Sequence, residues 1–188
     1  SLDVAENDVF QLIDLLKSGT QPQKAIDFVN SWKFEPTEKR LERIGEQAKG
    51  IAERLRKGNI SINVDHNKLR LSPRAWGNFW SSFVHVVRNA VDHGLREVND
   101  GNPTKNSISL RTLTQDNQLV VEIEDNGQGI DWDKIREKAK SKGVPHNSQE
   151  ELSNAIFMDG LSTKSEANNY SGRGVGMAAV KQACEGLG

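Results

Sequence analysis

Three short segments carry residue types whose spacing could do chemistry. In the first, His85, Asn89 and Asp92 fall at i, i+4 and i+7 of an apolar-striped run and so share one edge of a helix. A carboxamide and an imidazole on such an edge can face a metal–phosphate group, since Mg²⁺ takes oxygen ligands and keeps several waters; an ordinary solvated helix edge is the competing account. In the second, a strand-like run ends in Asp125-Asn126-Gly127-Gln128-Gly129. That spacing lets backbone pass close to a flat ligand while the carboxylate accepts from an exocyclic amine, although Asp and Gly after a strand more often make only a turn. In the third, Gly172, Gly174 and Gly176 alternate through Ser171-Gly172-Arg173-Gly174-Val175-Gly176-Met177 into a helix. Open amides at a helix start form a phosphate site, and Arg173 adds charge. A dinucleotide fold would need a strand directly before the glycines and different spacing, and no glycine loop is followed by Gly-Lys-Ser/Thr.

The surrounding chain must supply the elements that position these groups. Its 188 residues suit one domain with a sizeable core, or one domain plus an appendage. Twenty-five Lys and Arg against 26 Asp and Glu leave a formal charge of −1, so no nucleic-acid-binding surface is announced. No apolar run is long enough to span a bilayer and the start lacks signal-peptide character, so a cytoplasmic protein, or the cytosolic part of one, is expected. The single cysteine, Cys184, has no partner for an internal disulfide.

Apolar spacing of three and four predicts helices around Val9–Leu16 and Ala25–Trp32, broken by Gly19 and by Glu35-Pro36. A longer helix follows with a seam of Leu41, Ile44, Ala48, Ile51 and Leu55, read as core-facing rather than as a dimer coiled coil. Ile60, Ile62 and Val64 then alternate, as do Leu69 and Leu71, which predicts a strand pair. Pro73 opens a helix with a core face of Trp80, Val84, Val87 and Val91, ending at Gly94. Strands around Ile108–Leu110 and Leu119–Ile123 meet at the hairpin pair Asp116-Asn117. Helices are predicted over 131–142 and 150–157, and a last one from near Gly174. The class is α+β with a mixed, mainly antiparallel sheet. The four tryptophans, Trp32, Trp76, Trp80 and Trp132, are read as core or boundary residues.

In this order, an Asn-bearing helix, an Asp-x-Gly-x-Gly strand end and a glycine-rich helix start resemble the N box and the two glycine boxes of the GHKL superfamily of ATP-binding domains. Within it, HVVRNAVDHGLRE and IFMDGLSTKSEANNYSGRGVGMAAVKQ resemble the N box and the lid with its second glycine box in chemotaxis-type (CheA-like) histidine kinases. The resemblance covers roughly residues 40–188. It implies a two-layer α/β sandwich of the Bergerat type over 36–188, with residues 1–35 a helical linker or appendage, and a chain cut short before the family's last strands.

What the resemblance implies for the site follows box by box. Asn89 would help coordinate Mg²⁺ on the ATP phosphates, with His85 as a second contact, and these two would be the catalytic pair. Asp125 would hold the adenine amine, with Gly127 and Gly129 admitting the base. Arg88, Asp92 and His93 would position phosphate or ribose. Gly172, Arg173, Gly174, Val175, Gly176 and Met177 would close on the triphosphate, with Ser162, Thr163 and Lys164 in the lid before them. Hydrolysing relatives carry a glutamate where this chain has His85, so the γ-phosphoryl would be kept for another acceptor. That acceptor would be a histidine on a phosphotransfer domain, in trans or in the same longer protein, with a response regulator downstream; a homodimer is left open. A nucleotide-binding module without turnover is the alternative.

Overall fold

The structure is a computed structural model that describes residues 4–97, 105–158 and 176–188. Its elements run α1 (Glu6–Lys17), α2 (Pro22–Ser31), α3 (Thr37–Arg54), β1 (Ser61–Asp65), α4 (Pro73–Asn89), a π-helical turn (Ala90–Gly94), β2 (Ser107–Gln115), β3 (Gln118–Asp125), α5 (Trp132–Ser141), α6 (Gln149–Ala155) and α7 (Met177–Glu185). The sheet has order β1-β2-β3. β2 and β3 pair antiparallel with Gln115 opposite Gln118. The two residues between them, Asp116 and Asn117, both have positive φ, 50° and 63°, the backbone that a tight hairpin between right-twisted strands demands. β1 pairs parallel with β2, Ser61 opposite Ser107, and α4 supplies the crossover that parallel strands require. The sheet is therefore mixed and the fold α+β.

The core lies between the sheet and α3, α4 and the π-turn. Leu41, Ile44, Ala48 and Ala52 of α3 meet Phe79, Trp80, Phe83 and Val87 of α4 over Ile108 and Leu110 of β2. Leu41, Leu95, Ile108 and Leu110 are fully buried, each contributing about 1.5–3 kcal/mol of burial. The α3 seam thus faces its own domain, as expected. Helix α3 approaches β1 so closely that a Cβ on Gly45 would stand 2.7 Å from Ile62 Cγ2. The α4 core face departs from expectation: Phe79 and Phe83 are buried beside Trp80 and Val87, whereas Val84 is half-buried. Helix α7 also packs on α4, and with Phe79, Phe83, Val84, Val86 and Val87 the helix is apolar on more than one stripe, so period alone misassigns its inner face.

The predicted pairing of 60–64 with Leu69–Leu71 is not formed. β1 joins β2, and in this segment only Arg70 bridges, antiparallel to Pro36. Asn67 is the physical reason. Its carboxamide accepts from Thr37 Oγ1 at 3.2 Å and Thr112 Oγ1 at 3.2 Å and donates to Thr114 Oγ1 at 3.2 Å. Those bonds lash the turn to β2 and to the start of α3, so the chain cannot fold back along β1. Helices α1 and α2 pack on each other and are tied to this region by Arg70, whose guanidinium reaches Asp8 Oδ2 at 2.7 Å and the carbonyl of Phe34 at 3.0 Å.

Beyond β3, α5 and α6 form a small layer of their own around Ala139, Ala155 and Val144. The Asp131 side chain caps α5 by accepting Lys134 N–H at 3.1 Å, and that side-chain and backbone bonding to Lys134 holds its carboxyl below the usual value. Ser148 and Glu151 form a reciprocal capping box on α6. Trp80 is buried, while Trp32, Trp76 and Trp132 are half-buried at the boundary. Among the described residues no helix is long and apolar enough to cross a membrane.

Candidate nucleotide site

The site is built where α4 runs out. The regular helix ends at Asn89, and the next five residues widen into a π-turn in which Leu95 N–H donates to the Ala90 carbonyl at 3.0 Å. Such turns cluster at functional sites. The turn changes the register, so Asp92 does not continue the 3.6-residue edge of His85 and Asn89 that the spacing predicts. His85 is half-buried, and Arg88 and Asn89 are exposed. Asp92 is half-buried and His93 exposed, with His93 Nε2 4.0 Å from Asp92 Oδ2.

Against this turn sits the end of β3. Asp125 Oδ1 accepts the Gly127 N–H at 3.0 Å, which folds 125–127 into an Asx turn. Gln128 N–H donates to the Gly94 carbonyl at 2.9 Å, and Gln128 Nε2 to the His93 carbonyl at 2.9 Å. Asn126 ties the same turn to β2, accepting Ser107 N–H at 2.8 Å and donating to the Lys105 carbonyl at 2.7 Å. The approach is closer than any side chain allows. A Cβ on Gly127 would lie 1.7 Å from the Gly94 oxygen, and one on Gly94 would lie 2.6 Å from the Asp125 carboxyl. Gly129 has φ +75° with no protein atom near its Cβ position, so the left-handed turn, and not a neighbouring protein segment, asks for glycine there.

The structure therefore brings Asp92, His93, Asp125 and Gly127 to one place, with His85 and Asn89 on the α4 segment leading into it. Gly176 and Met177 begin α7, which packs along α4. Ser162, Thr163, Lys164, Gly172, Arg173, Gly174 and Val175 lie outside the described residues, as does the expected start of the last helix near Gly174. Gly94, expected only as a helix end, and Asn126 and Gln128 have no site role in the sequence reading. The Gly after Asp92-His93 and the polar residues interleaved in Asp-x-Gly-x-Gly were the available signals, but a residue whose role is to touch another loop declares nothing locally.

The residues present can be tested against Mg·ATP. At one end a half-buried carboxylate, Asp125, stands between Gly94 and Gly127, whose missing side chains let the two backbones meet around it. For the metal, no group of three or more His, Cys, Asp or Glu side chains converges among the described residues. Asn89, exposed at the end of α4, carries a carboxamide oxygen, a hard donor of the kind that Mg²⁺ accepts.

A family model described as "Histidine kinase-, DNA gyrase B-, and HSP90-like ATPase" matches residues 81–188, the stretch from α4 through the last helix. The chain belongs to that family. Its nucleotide is accordingly ATP. Relatives agree with it. A chemotaxis protein CheA of Cereibacter sphaeroides is 29% identical over 186 residues, covering 95% of this chain and 26% of that protein. A gliding motility regulatory protein of Myxococcus xanthus is 35% identical over 69% of this chain and 17% of its own length. A CheA of Rhizobium meliloti is 37% identical over 56% of this chain and 15% of its own. The chain thus spans about a quarter or less of the length of these relatives.

Proposed function

We propose that this chain is the Mg·ATP-binding catalytic part of a two-component histidine kinase and that it delivers the γ-phosphoryl to a histidine on a phosphotransfer domain. The observation that carries the reading is the seating of Gly127 on Gly94 with the Asp125 carboxylate held between them, because it joins the two boxes into one unit. Asp125 accepts the adenine amine, and Gly127 and Gly129 admit the base. The Asn89 oxygen takes Mg²⁺, with His85 one turn earlier as the second contact. Arg88, Asp92 and His93 orient ribose and phosphates. By resemblance alone, Ser162, Thr163, Lys164 and the stretch from Gly172 to Met177 close over the triphosphate.

His85 shapes the outcome. A glutamate there would act as base on water; with His85 assigned to the metal beside Asn89, no carboxylate on this helix edge faces the water, and the γ-phosphoryl is kept for another acceptor. The acceptor imidazole nitrogen attacks the γ-phosphorus and the bond to the β-bridging oxygen breaks, so that ADP leaves; a Mg²⁺ held by Asn89 and His85 would supply neutralisation of the phosphate charge. The acceptor domain belongs to another chain or another part of the same protein, and a response regulator receives the phosphoryl from it, which places the reaction in the cytoplasm. CheA-named relatives covering up to 95% of this chain support this reading over a module without turnover.

The test is calorimetric titration with a non-hydrolysable ATP analogue, with and without Mg²⁺. Binding that strengthens with Mg²⁺ and is abolished by Asp125→Asn is expected. Transfer is then scored as acid-labile phosphohistidine on a phosphotransfer domain and is lost in Asn89→Ala. Binding without any transfer to a panel of such domains would favour the inactive module.

A further inference from the structure

Two side chains with no part in that reading grip the segment leaving the π-turn. Lys57, 7% exposed, follows α3, and its ammonium donates to the Leu95 carbonyl at 2.9 Å. Asn106, 1% exposed, precedes β2. Its Nδ2 donates to the carbonyls of Lys57 and Arg96, both at 2.8 Å, and its Oδ1 accepts Arg96 N–H at 3.3 Å. The Asn106 carbonyl also accepts Ser61 N–H at 2.9 Å. The end of α3, the starts of β1 and β2, and residues 95–96 are therefore stitched at one point.

Burying an ammonium is costly unless it is bonded, and a core at this position needs only an apolar filler. What a cation adds is attraction for a carbonyl at the C-terminal end of a helical segment, where partial negative charge collects. Leu95 is that residue, just past the π-turn. Its neighbour Gly94 touches the Asp125 carboxylate and accepts from Gln128. With so little free space there, displacement of 94–96 is passed directly to the carboxylate.

We infer that Lys57 and Asn106 are positioning residues that set the base selectivity of the nucleotide site by fixing Gly94 against Asp125. The inference rests on the role of Asp125 toward adenine given above. Loosening the clasp weakens recognition of the base and leaves the phosphate contacts in place. Discrimination between ADP and inosine diphosphate, which replaces the exocyclic amine by a carbonyl, isolates that contribution.

The experiment titrates the whole chain with each diphosphate in Mg²⁺ at a temperature well below the melt, for wild type, Lys57→Met, the near-isosteric Asn106→Asp and the conservative Lys57→Arg. Wild type is expected to prefer ADP. Lys57→Met and Asn106→Asp should lower the ADP-to-IDP preference about tenfold through ADP alone, and Lys57→Arg should retain more of it than Lys57→Met. If Lys57→Met does not fold, Asn106→Asp decides. Equal loss of ADP and IDP affinity would reduce the clasp to a structural role, and an unchanged ratio in a folded variant would overturn the inference. Wild type that binds neither diphosphate would sink the nucleotide reading itself, and wild type that binds both equally would remove the role of Asp125.

Discussion

Replacing Gly127 by alanine tests the geometry most directly. The added Cβ would stand 1.7 Å from the Gly94 oxygen and 2.2 Å from its carbon, both backbone atoms, whereas real Cβ contacts essentially never fall below 3.0 Å. The two loops would have to part by about 1.3 Å, and a core forced to accept such a methylene loses about 1–3 kcal/mol. At about 2–4 °C per kcal/mol for a chain of this size, the melting temperature should fall by about 2–12 °C. Loss of the hydrogen bond to the Asp125 carboxylate costs about 1.5–3 kcal/mol, so ADP affinity should fall by about ten- to a hundredfold. Gly94→Ala separates the two effects. The three atoms nearest its Cβ all belong to the Asp125 carboxyl, at 2.6–2.7 Å, and a carboxyl can rotate away. Affinity should drop at least about tenfold with a smaller change in melting temperature. Gly143→Ala is the control, because it carries the strain of φ +67° with open space around the Cβ and lies beyond α5, away from the site. It should lower stability without changing affinity. Calorimetric titration with ADP and differential scanning calorimetry on the four proteins give both quantities. Gly127→Ala with wild-type affinity and melting temperature would refute the close seating of the two boxes.

Other consequences are equally open to measurement. Gly45→Ala should cost about 1–3 kcal/mol by urea unfolding, because Ile62 Cγ2 lies 2.7 Å from the new methyl and a β-branched side chain yields little. A double-mutant cycle with Ile62→Ala should show the two costs to be strongly non-additive. Arg70→Ala removes the bonds to Asp8 and to the Phe34 carbonyl, and hydrogen exchange in α1 and α2 should quicken about tenfold or more, with ADP affinity unchanged. The Asp131 carboxyl is held below its usual value by its bonds to Lys134. Since the folded pKa is depressed, the stability it contributes is present above the unfolded value near 3.8 and is lost as pH falls through the lower folded one. An acid titration followed by the amide resonance of Lys134 should show the α5 cap persisting below pH 3.8. Burial, with Glu185 adding to it, raises the Cys184 thiol, so alkylation at pH 8 should run slower than that of a free cysteine.

Local chemistry made much of this protein readable in advance. Asp116-Asn117 named the hairpin because few residues tolerate two successive left-handed backbones, and the helix expected from Asp131 starts there because that side chain caps locally, whereas the Ser148 cap before α6 is seen only in the structure. The α3 seam, the helix opened by Pro73 and the residues of the boxes needed only spacing and residue type. Partners were another matter. Alternation in 60–64 and 69–71 specifies faces, and nothing in it distinguishes an adjacent antiparallel mate from a parallel one more than forty residues away. That choice was made by Asn67, whose three hydroxyl partners come from α3 and β2. Phe83, not Val84, faces the core of α4, because a helix apolar on more than one stripe does not name its inner face by period.

At the site the same division holds. The sequence by itself determined which groups are available: a carboxylate before two glycines, an asparagine one turn after a histidine, a glycine closing the helix. Only the tertiary structure decided that the helix widens into a π-turn, that Gly94 and Gly127 stand where side chains would collide, and that Lys57 and Asn106 hold the exit from behind. Helix periodicity and turn chemistry act within a few residues and are written into them. Close approach between segments thirty to fifty residues apart depends on which atoms are absent from both sides, a property of the pair that neither segment carries alone.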